Sequence, residues 1–441
     1  MLSTSEAKSC AVAVRLAGAL ILLLFAIVSV LGVVASPASA AVGCDRVASP
    51  SGSDGNSGSV ASPYLTVQKL DSSLGSGQTG CLRAGTYGGS STQTNFSTPG
   101  VRITSYPGER ATVAGFPYVD GAGTTLSYLS FDLNKRGNSW PALCQGSVSG
   151  GAQVTYGFDI EGNNVTLEHS NVYVDPSIPM TNRGDGLGVG WSNSTSGVVI
   201  RDNRIHDVGF CPVEEHGIYL NKTSGVQVYG NWIYNIPAGT GIQVWDGPTS
   251  AHIYANVIDN ASSCVDVGGN SPVTAGTLIE HNVCSNMVGV QQPYKAYCAA
   301  PGPGCTGPDS GEPLFDNWGS GTAGSGNRMQ NNLSFCASSA HCSTSYADSS
   351  GVALSGNYTA NPHFADPNYQ TSHDYRLGSS SRARSWGLWN GDFGNARAVA
   401  SRSHARRHAH ARRHARRHAR RHAGGPRRFH RHRVVGRKHR R

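Results

Sequence analysis

Two turns of this chain carry residues that suit proton transfer. One contains Arg183-Gly-Asp185-Gly, and the other contains His216-Gly, each just before a short apolar strand. If the turns lie on adjacent repeats, Asp185 and His216 occupy equivalent positions about 5 Å apart. A carboxylate beside an imidazole orients the ring and raises its basicity, which suits His216 as a general base. Arg183 and Lys222 are the cations that would neutralise a substrate carboxylate. A purely structural turn is the alternative.

A second acidic group lies on one strand. Asp159 and Glu161 are two residues apart, so they point to the same side of a strand at a spacing of about 7 Å. That spacing suits an inverting glycosidase, whose two carboxyl groups are about 6.5–9.5 Å apart. It equally suits two ligands of a calcium ion, with Glu214 and Glu215 as further candidate ligands. Two solvated acids are the remaining interpretation.

The strands that position these residues share one pattern, apolar-x-apolar. Alternation turns the outer two residues of each triplet inward and the middle residue outward. The triplets are Phe158-Asp-Ile160, Leu187-Gly-Val189, Ile218-Tyr-Leu220, Ile242-Gln-Val244 and Val265-Asp-Val267. Gly188 and Gly190 would leave a depression in the outward face, and aromatic and polar side chains around it suit sugar binding. The predicted substrate-binding residues are Asp159, Glu161, Tyr219, Asn221, Gln243, Trp245, Asp246 and Asp266.

An asparagine recurs between apolar strands through the second half of the chain. Its positions are 203, 231, 256, 282, 332 and 357, at intervals of 28, 25, 26, 50 and 25 residues. The long interval is either two periods or one period with an insertion. Short strands repeated at this period are typical of a solenoid built from β-strands. Asparagine tolerates the left-handed backbone of a turn, and stacked asparagines form a hydrogen-bonded ladder.

The chain divides into four predicted segments. Residues 1–40 read as a signal peptide, 41–75 as a loop and a capping helix, 76–390 as a parallel β-helix, and 391–441 as a disordered basic tail. Val67, Leu70 and Leu74 fall on one face of the capping helix, which would cover the first coil. About ten coils at a spacing of ~4.8 Å give a rod of roughly 50 Å.

The N-terminus and the cysteines both indicate export. A charged start, an apolar run from Leu16 to Ala35 and Ala38-Ser-Ala40 predict cleavage before Ala41 and a secreted or surface protein. An uncleaved membrane anchor is the alternative. Ten cysteines remain in the mature chain, which is typical of disulfide-bonded exported proteins. The expected pairs are 44–81, 144–211, 264–284, 298–305 and 336–342.

The charge of the chain is divided between body and tail. The whole chain carries a net charge of +9, but residues 401–441 contain sixteen arginines, one lysine and no acid, whereas residues 41–400 carry 17 basic and 26 acidic residues. The tail repeats His-Ala-Arg-Arg, a density of like charge that disfavours compaction. An anionic cell-envelope polymer is its expected partner. Nucleic acid is a less favoured partner, because no aromatic residue apart from Phe429 interleaves the array.

Three sequence segments resemble secreted right-handed parallel β-helix proteins of the pectate-lyase-like superfamily. They are Ser51-Gly-Ser-Asp54-Gly-Asn with Pro63-Tyr-Leu-Thr-Val, Leu82-Arg-Ala-Gly-Thr-Tyr87, and Asn361-Pro-His-Phe-Ala-Asp366 with Asp374-Tyr-Arg-Leu. The resemblance implies an all-β right-handed parallel β-helix. It implies a polysaccharide partner. The superfamily includes lyases, hydrolases, epimerases and non-catalytic members, so the resemblance does not choose among these activities.

No catalytic set of a better-defined relative carries over intact. Asn182-Arg-Gly-Asp185-Gly resembles loosely an element of polygalacturonases, but the aspartate pair expected one coil later is replaced by Glu214-Glu215. Tyr156-Gly-Phe-Asp159 resembles half of an alginate epimerase element, and the histidine that should follow is missing. The leading hypothesis is a monomeric polysaccharide-binding protein with lyase activity on an acidic glycan and calcium as the candidate cofactor. A glycoside hydrolase and a non-catalytic surface or adhesion module are the alternatives.

Overall fold

The computed structural model describes residues 43–133, 157–177, 185–209, 215–269, 273–289, 311–315, 323–338, 340–346 and 351–391. No helix in these ranges is long and apolar enough to cross a membrane.

The chain winds through three parallel β-faces in a repeating order. Face 1 is an eleven-stranded sheet. Its strands are β1 (Arg46–Ala48), β2 (Thr79–Leu82), β4 (Arg102–Ser105), β6 (Thr125–Ser127), β9 (Thr166–Glu168), β13 (Val199–Arg201), β17 (Gln227–Tyr229), β19 (His252–Tyr254), β21 (Leu278–Glu280), β24 (Asn327–Gln330) and β26 (Val352–Ser355).

Faces 2 and 3 share four long strands that bend around a corner. The first part of each pairs in face 2 and the second part in face 3. These strands are β3 (Gly85–Phe96), β5 (Ala111–Val119), β18 (Trp232–Val244) and β20 (Val257–Val267). Face 2 also contains β7 (Ser130–Asp132), β10 (Asn171–Tyr173), β14 (Arg204–His206), β22 (Val283–Ser285), β25 (Leu333–Phe335) and β27 (Tyr358–Thr359). Face 3 also contains β8 (Phe158–Ile160), β11 (Leu187–Val189), β15 (Ile218–Leu220) and β23 (Leu314–Phe315). At the corner between faces 3 and 1, β12 (Thr195–Ser196) pairs with β16 (Thr223–Ser224).

The predicted register of the triplets is confirmed. Leu187 pairs with Phe158 on one side and with Ile218 on the other, and all these pairings are parallel. The first and third residues of every triplet are fully buried in one continuous core. The coil interior is therefore filled by the residues that alternate inward, and the middle residues lie on the outer surface of face 3.

The predicted asparagine ladder is confirmed and runs without a break from Asn203 to Asn357. Each amide donates to the oxygen of the next, at 2.9–3.0 Å. Asn282 bonds Asn332 directly, so the 50-residue interval is one coil with an insertion. The predicted left-handed backbone belongs instead to the residue before each asparagine, such as Asp202 (φ 57°) and Ala255 (φ 54°).

The predicted capping helix is present but shorter than the pattern suggested. Helix α1 (Val67–Ser72) begins after Thr66, whose hydroxyl accepts a hydrogen bond from the backbone N–H of Lys69 at 3.1 Å. Leu70 and Leu74 are buried against the first coils. They pack so closely over Gly80 that a Cβ there would lie 2.9–3.0 Å from their side chains. The helix thus closes the N-terminal end of the core.

The coils end earlier than the predicted boundary at residue 390. The last strand ends at Thr359, and residues 360–391 contain only the short helix α2 (Tyr369–Ser372) and a 3-10 helix (Arg382–Trp386). This segment packs on the outer surface of face 2, where Tyr375 and Trp389 join a second apolar cluster with Trp232 and Tyr234. It lacks a repeat, which is why the periodic pattern could not locate it.

Three of the five predicted disulfides lie within the described residues, and all three are formed. They are Cys44–Cys81, Cys264–Cys284 and Cys336–Cys342. The cysteines of the other two predicted pairs lie outside the described residues, as do the signal peptide and the basic tail.

Candidate functional site

A row of partly exposed side chains crosses the outer surface of face 3. Tyr118 pairs in register with Asp159, Asp159 with Gly188, and Gly188 with Tyr219. These four positions span three coil steps, about 14 Å. Because Gly188 has no side chain, the row is open between Asp159 and Tyr219. We call this row, together with Glu161, Trp191 and Lys222, the face-3 site.

The Asp159–Glu161 pair is the chemical centre of the face-3 site. Glu161 is buried, and its two carboxylate oxygens accept hydrogen bonds from the backbone N–H groups of Ser192 (2.8 Å) and Asn193 (2.6 Å). Burial raises the pKa of Asp159 well above its ordinary value, and the nearby negative charge of Glu161 raises the pKa further. Asp159 therefore keeps its proton where a solvated aspartate would have lost it.

The glycosidase interpretation of this carboxyl pair stays a prediction. We predicted a separation of about 7 Å from their spacing on the strand, and the charge of Glu161 acts on Asp159, raising its pKa. Retaining and inverting glycosidases need their carboxyl groups about 5 Å or more apart, to leave room for the sugar or a water.

Aromatic and basic side chains border the pair. The rings of Trp191 and Tyr219 lie 5.7 Å apart, and the Nζ of Lys222 is 3.4 Å from the carbonyl oxygen of Trp191. Trp191 and Tyr118 were not among the predicted residues. Tyr118 lies in a coil that precedes the alignable repeats, but its alternation with buried Val119 was a usable signal.

Asp185 and His216 lie on adjacent coils, as the alignment predicted. The N–H of Gly186 donates to the carbonyl oxygen of His216 at 2.9 Å, and the Asp185 carboxylate accepts from the backbone N–H of His216. The predicted rise in the basicity of His216 is wrong in sign. Its ring is buried, and burial lowers its pKa to about 3 because the protein interior disfavours the imidazolium. His216 is 3% exposed and Asp185 1%, so neither presents a base to solvent.

The prediction that Lys222 lies close to His216 is also wrong. His216 precedes β15 and Lys222 follows it, so they lie at opposite corners of face 3. Lys222 instead lies beside Trp191, next to the residues that hold Glu161. Arg183 and Glu214 lie outside the described residues.

The far end of the predicted groove is closed. Asn221, Gln243 and Asp266 are only 3–4% exposed. Trp245 does not offer its ring to a sugar, because the ring packs over Gly268, where a Cβ would lie 2.1 Å from it. Asp246 occupies a partly exposed left-handed turn (φ 56°) at the corner.

The predicted calcium site does not fit the residues present. Among the described residues, no three His, Cys, Asp or Glu side chains stand together in a metal-binding arrangement. Both oxygens of Glu161 already accept backbone hydrogen bonds, and Glu215 is buried one coil beyond Asp185. Calcium requires six to eight oxygen ligands, and the Asp159–Glu161 pair cannot supply them.

Comparison with known proteins agrees with this fold. Residues 147–295 match the family model described as a right handed beta helix region. Together with the three parallel faces, this match confirms the predicted right-handed parallel β-helix fold. No curated protein sequence matches the chain.

Several solved structures share parts of the fold. A pectate lyase, Pel9A, is 14% identical with a TM-score of 0.46, covering 77% of this chain and 90% of its own. A rhamnogalacturonan lyase is 15% identical with a TM-score of 0.46, covering 78% and 95%. PfbA, a surface adhesin of Streptococcus pneumoniae, is 10% identical with a TM-score of 0.38, covering 66% and 85%. Similarities this distant carry no information about activity.

Proposed function

We propose that this chain is an exported polysaccharide-binding protein that cleaves a uronate-containing glycan by β-elimination at the face-3 site. The observation that carries the proposal is the position of Asp159 on β8 beside the gap at Gly188, where burial and the nearby charge of Glu161 raise its pKa. A carboxyl group with a raised pKa can both take and give a proton. β-Elimination requires both steps within one site.

The proposed chemistry assigns each group a defined task. Asp159 in its ionised form removes the C5 proton, which is acidified by the neighbouring uronate carboxylate. Electrons from the C5–H bond form a C4–C5 double bond as the C4–O4 bond breaks, and Asp159 then gives the proton to O4. Lys222 neutralises the uronate carboxylate, while Tyr118, Tyr219 and Trp191 contact the sugar rings.

The proposal is tested by turnover of purified secreted full-length protein. Polygalacturonate, alginate and a neutral glucan are incubated with it, and unsaturated products are followed by absorbance near 235 nm. We expect product from a uronate polymer and none from the glucan. Asp159→Asn should lower the rate by about 10²-fold, because this side chain can no longer take and give a proton. Asp45→Asn, an exposed carboxyl in the first coil, is the matched control and should keep the rate.

Two outcomes would reject the enzymatic proposal. Binding of a uronate polymer without product would leave a non-catalytic adhesion module, the alternative predicted from sequence. Product formation at an unchanged rate by Asp159→Asn would place the chemistry elsewhere.

A further inference from the structure

A second cavity lies on a different face from the Asp159–Glu161 pair. It has a volume of about 340 Å³ and lies between the outer surface of face 2 and the C-terminal segment. Its lining combines side chains from five coils with Ser372 and His373 of the segment. This size is at the lower end of the range of ligand pockets, ~300–1,000 Å³, and suits one small molecule better than a polymer chain. We call it the face-2 pocket.

Two arginines give the face-2 pocket a positive charge. Arg110 and Arg204 both line it, and burial lowers the pKa of each guanidinium. The charge of Arg204 lowers the pKa of Arg110 further. Both still carry their charge at neutral pH, because an arginine pKa remains far above 7. The residues that line the pocket include no Asp or Glu.

Two acids near the face-2 pocket have partners of their own. Asp207 lies 2.6 Å from the Nδ1 of His206, and Asp374 is ion-paired with Arg376. Asp374 also raises the pKa of Arg204. Arg204 itself is fixed in place, since its guanidinium stacks on Trp232 with its centre 5.0 Å from the ring. The cationic surface is thus preorganised, which reduces the cost of binding an anion.

Three rings that line the face-2 pocket, those of His206, Tyr234 and His373, belong to a stack that Tyr173 continues outside it. Tyr173, His206, Tyr234 and His373 follow one another with ring centres 5.5, 4.6 and 4.4 Å apart and nearly parallel planes. The His206 ring is held at both nitrogens, by Asp207 and by the side-chain oxygen of Asn171 at 3.0 Å. Ser130, Asn171 and Ser372 add polar groups that can bond hydroxyls.

From these observations we propose that the face-2 pocket binds a single carboxylate-bearing sugar through Arg110 and Arg204. Paired guanidiniums recognise a carboxylate with planar, charge-assisted hydrogen bonds. The hydroxyl and amide side chains bond the sugar hydroxyls, and the ring stack bounds the ligand. The site is separate from the face-3 site and holds whether or not the chain is a lyase.

The test is calorimetric titration of the secreted full-length protein with sodium glucuronate, with glucose and inorganic phosphate as comparison probes. Glucuronate should bind, and glucose, which keeps the ring and lacks the carboxylate, should bind at least about tenfold more weakly. Arg110→Gln and Arg204→Gln should each weaken glucuronate binding by about tenfold or more. Arg384→Gln, an exposed arginine in the 3-10 helix, should leave it unchanged.

A further variant tests the pocket without changing an arginine, in case an arginine variant fails to fold. Ser372→Trp fills the pocket from an exposed position of the segment and should abolish glucuronate binding. Arg204→Gln should leave the turnover of a uronate polymer unchanged, which separates this site from the proposed catalytic one. The proposal would be overturned if glucose bound as tightly as glucuronate, or if phosphate did. It would also be overturned if folded arginine or tryptophan variants kept their affinity for glucuronate.

Discussion

Asn256 shows how much hydrogen bonding a single ladder side chain provides. It is fully buried, donates to the carbonyl oxygens of Val228 and Tyr254 and to the side chain of Asn282, and accepts from the backbone and side chain of Asn231. All of these hydrogen-bond partners are backbone groups or side-chain amides. A residue that cannot replace these bonds leaves several buried polar groups unsatisfied.

Replacing Asn256 with alanine should therefore be strongly destabilising. We expect a loss of about 3 kcal/mol or more in the free energy of unfolding, because a buried unsatisfied group costs ~1–3 kcal/mol and several are created. Asn357→Ala is the control, since this asparagine ends the described ladder and is partly exposed. Denaturant unfolding followed by circular dichroism measures both. Equal losses would mean that ladder position does not matter.

Asp259 gives a pH dependence with a defined sign. Burial raises its pKa to about 6, although Asn286 and Tyr375 donate hydrogen bonds to it at 2.8 and 3.0 Å. The folded-state pKa lies above the ordinary value of 3.8, so the folded protein binds the proton more tightly than the unfolded chain. The stability that this residue contributes is present below about pH 4 and is lost as the pH rises through about 6.

Asp259→Asn should remove that contribution to the pH dependence. Between pH 7 and pH 4.5, the wild-type free energy of unfolding should rise relative to that of the variant by about 2 kcal/mol. Melting curves of both proteins across this range provide the measurement. Parallel pH profiles would show that Asp259 titrates normally in the folded protein.

At the scale of single residues, the sequence predicted which residues lie side by side on adjacent coils better than it predicted how exposed their side chains are. The adjacency of Asp185 and His216 follows from the period alone. Their burial depends on what packs outside face 3, and no local pattern encodes it. The same holds for Trp245, whose ring packs on Gly268 of the next coil instead of facing solvent.

Strands of face 1 are tied together by ion pairs that cross several coils. Glu168 at the end of β9 is 3% exposed and binds Arg102 of β4 at 2.9 Å and Arg201 of β13. Arg102 also donates to Ser127 of β6, the strand between β4 and β9. A single carboxylate thereby links four successive coils.

Removing this carboxylate should cost more than removing an exposed one. Glu168→Ala leaves two partly buried arginines without their shared partner, and we expect a loss of about 3 kcal/mol in unfolding free energy. Glu109→Ala is the matched control, because Glu109 pairs with the more exposed Arg83, and a loss of about 1 kcal/mol is expected there. Chemical denaturation at low salt compares the two. Similar losses in the two variants would mean that the burial of Glu168 adds no stability to its ion pairs.

Among the structural elements, those with a period were predictable and those without one were not. The triplet strands and the asparagine turns repeat, so one alignment located them all. The shortened helix α1 and the packing of residues 360–391 on face 2 depend on single contacts, such as Leu70 over Gly80 and Tyr375 against Trp232. The face-2 pocket depends on that packing and was therefore missed.

The molecule as a whole combines an acidic body with a cationic tail, and this division leads to a prediction. Residues 41–400 carry a net charge of −9 and residues 401–441 carry +17. Truncation after Ala400 should leave the circular dichroism spectrum and melting temperature unchanged, because the described core lies entirely before residue 392. It should abolish salt-sensitive binding to an anionic polymer such as teichoic acid or heparin.

Two measurements would contradict this prediction. A lower melting temperature after truncation would make the tail part of the fold. Undiminished binding to the anionic polymer would place the binding surface on the body.

The direct bond between Asn282 and Asn332 has a consequence for how such a chain can evolve. Fifty residues separate two side chains that are 2.9 Å apart, yet the ladder continues with normal geometry on either side. Insertions and deletions on the far side of this coil thus leave the register of its neighbours unchanged. Loops around face 3 can change length from one homologue to another, and new ligand specificity can arise there without loss of the scaffold.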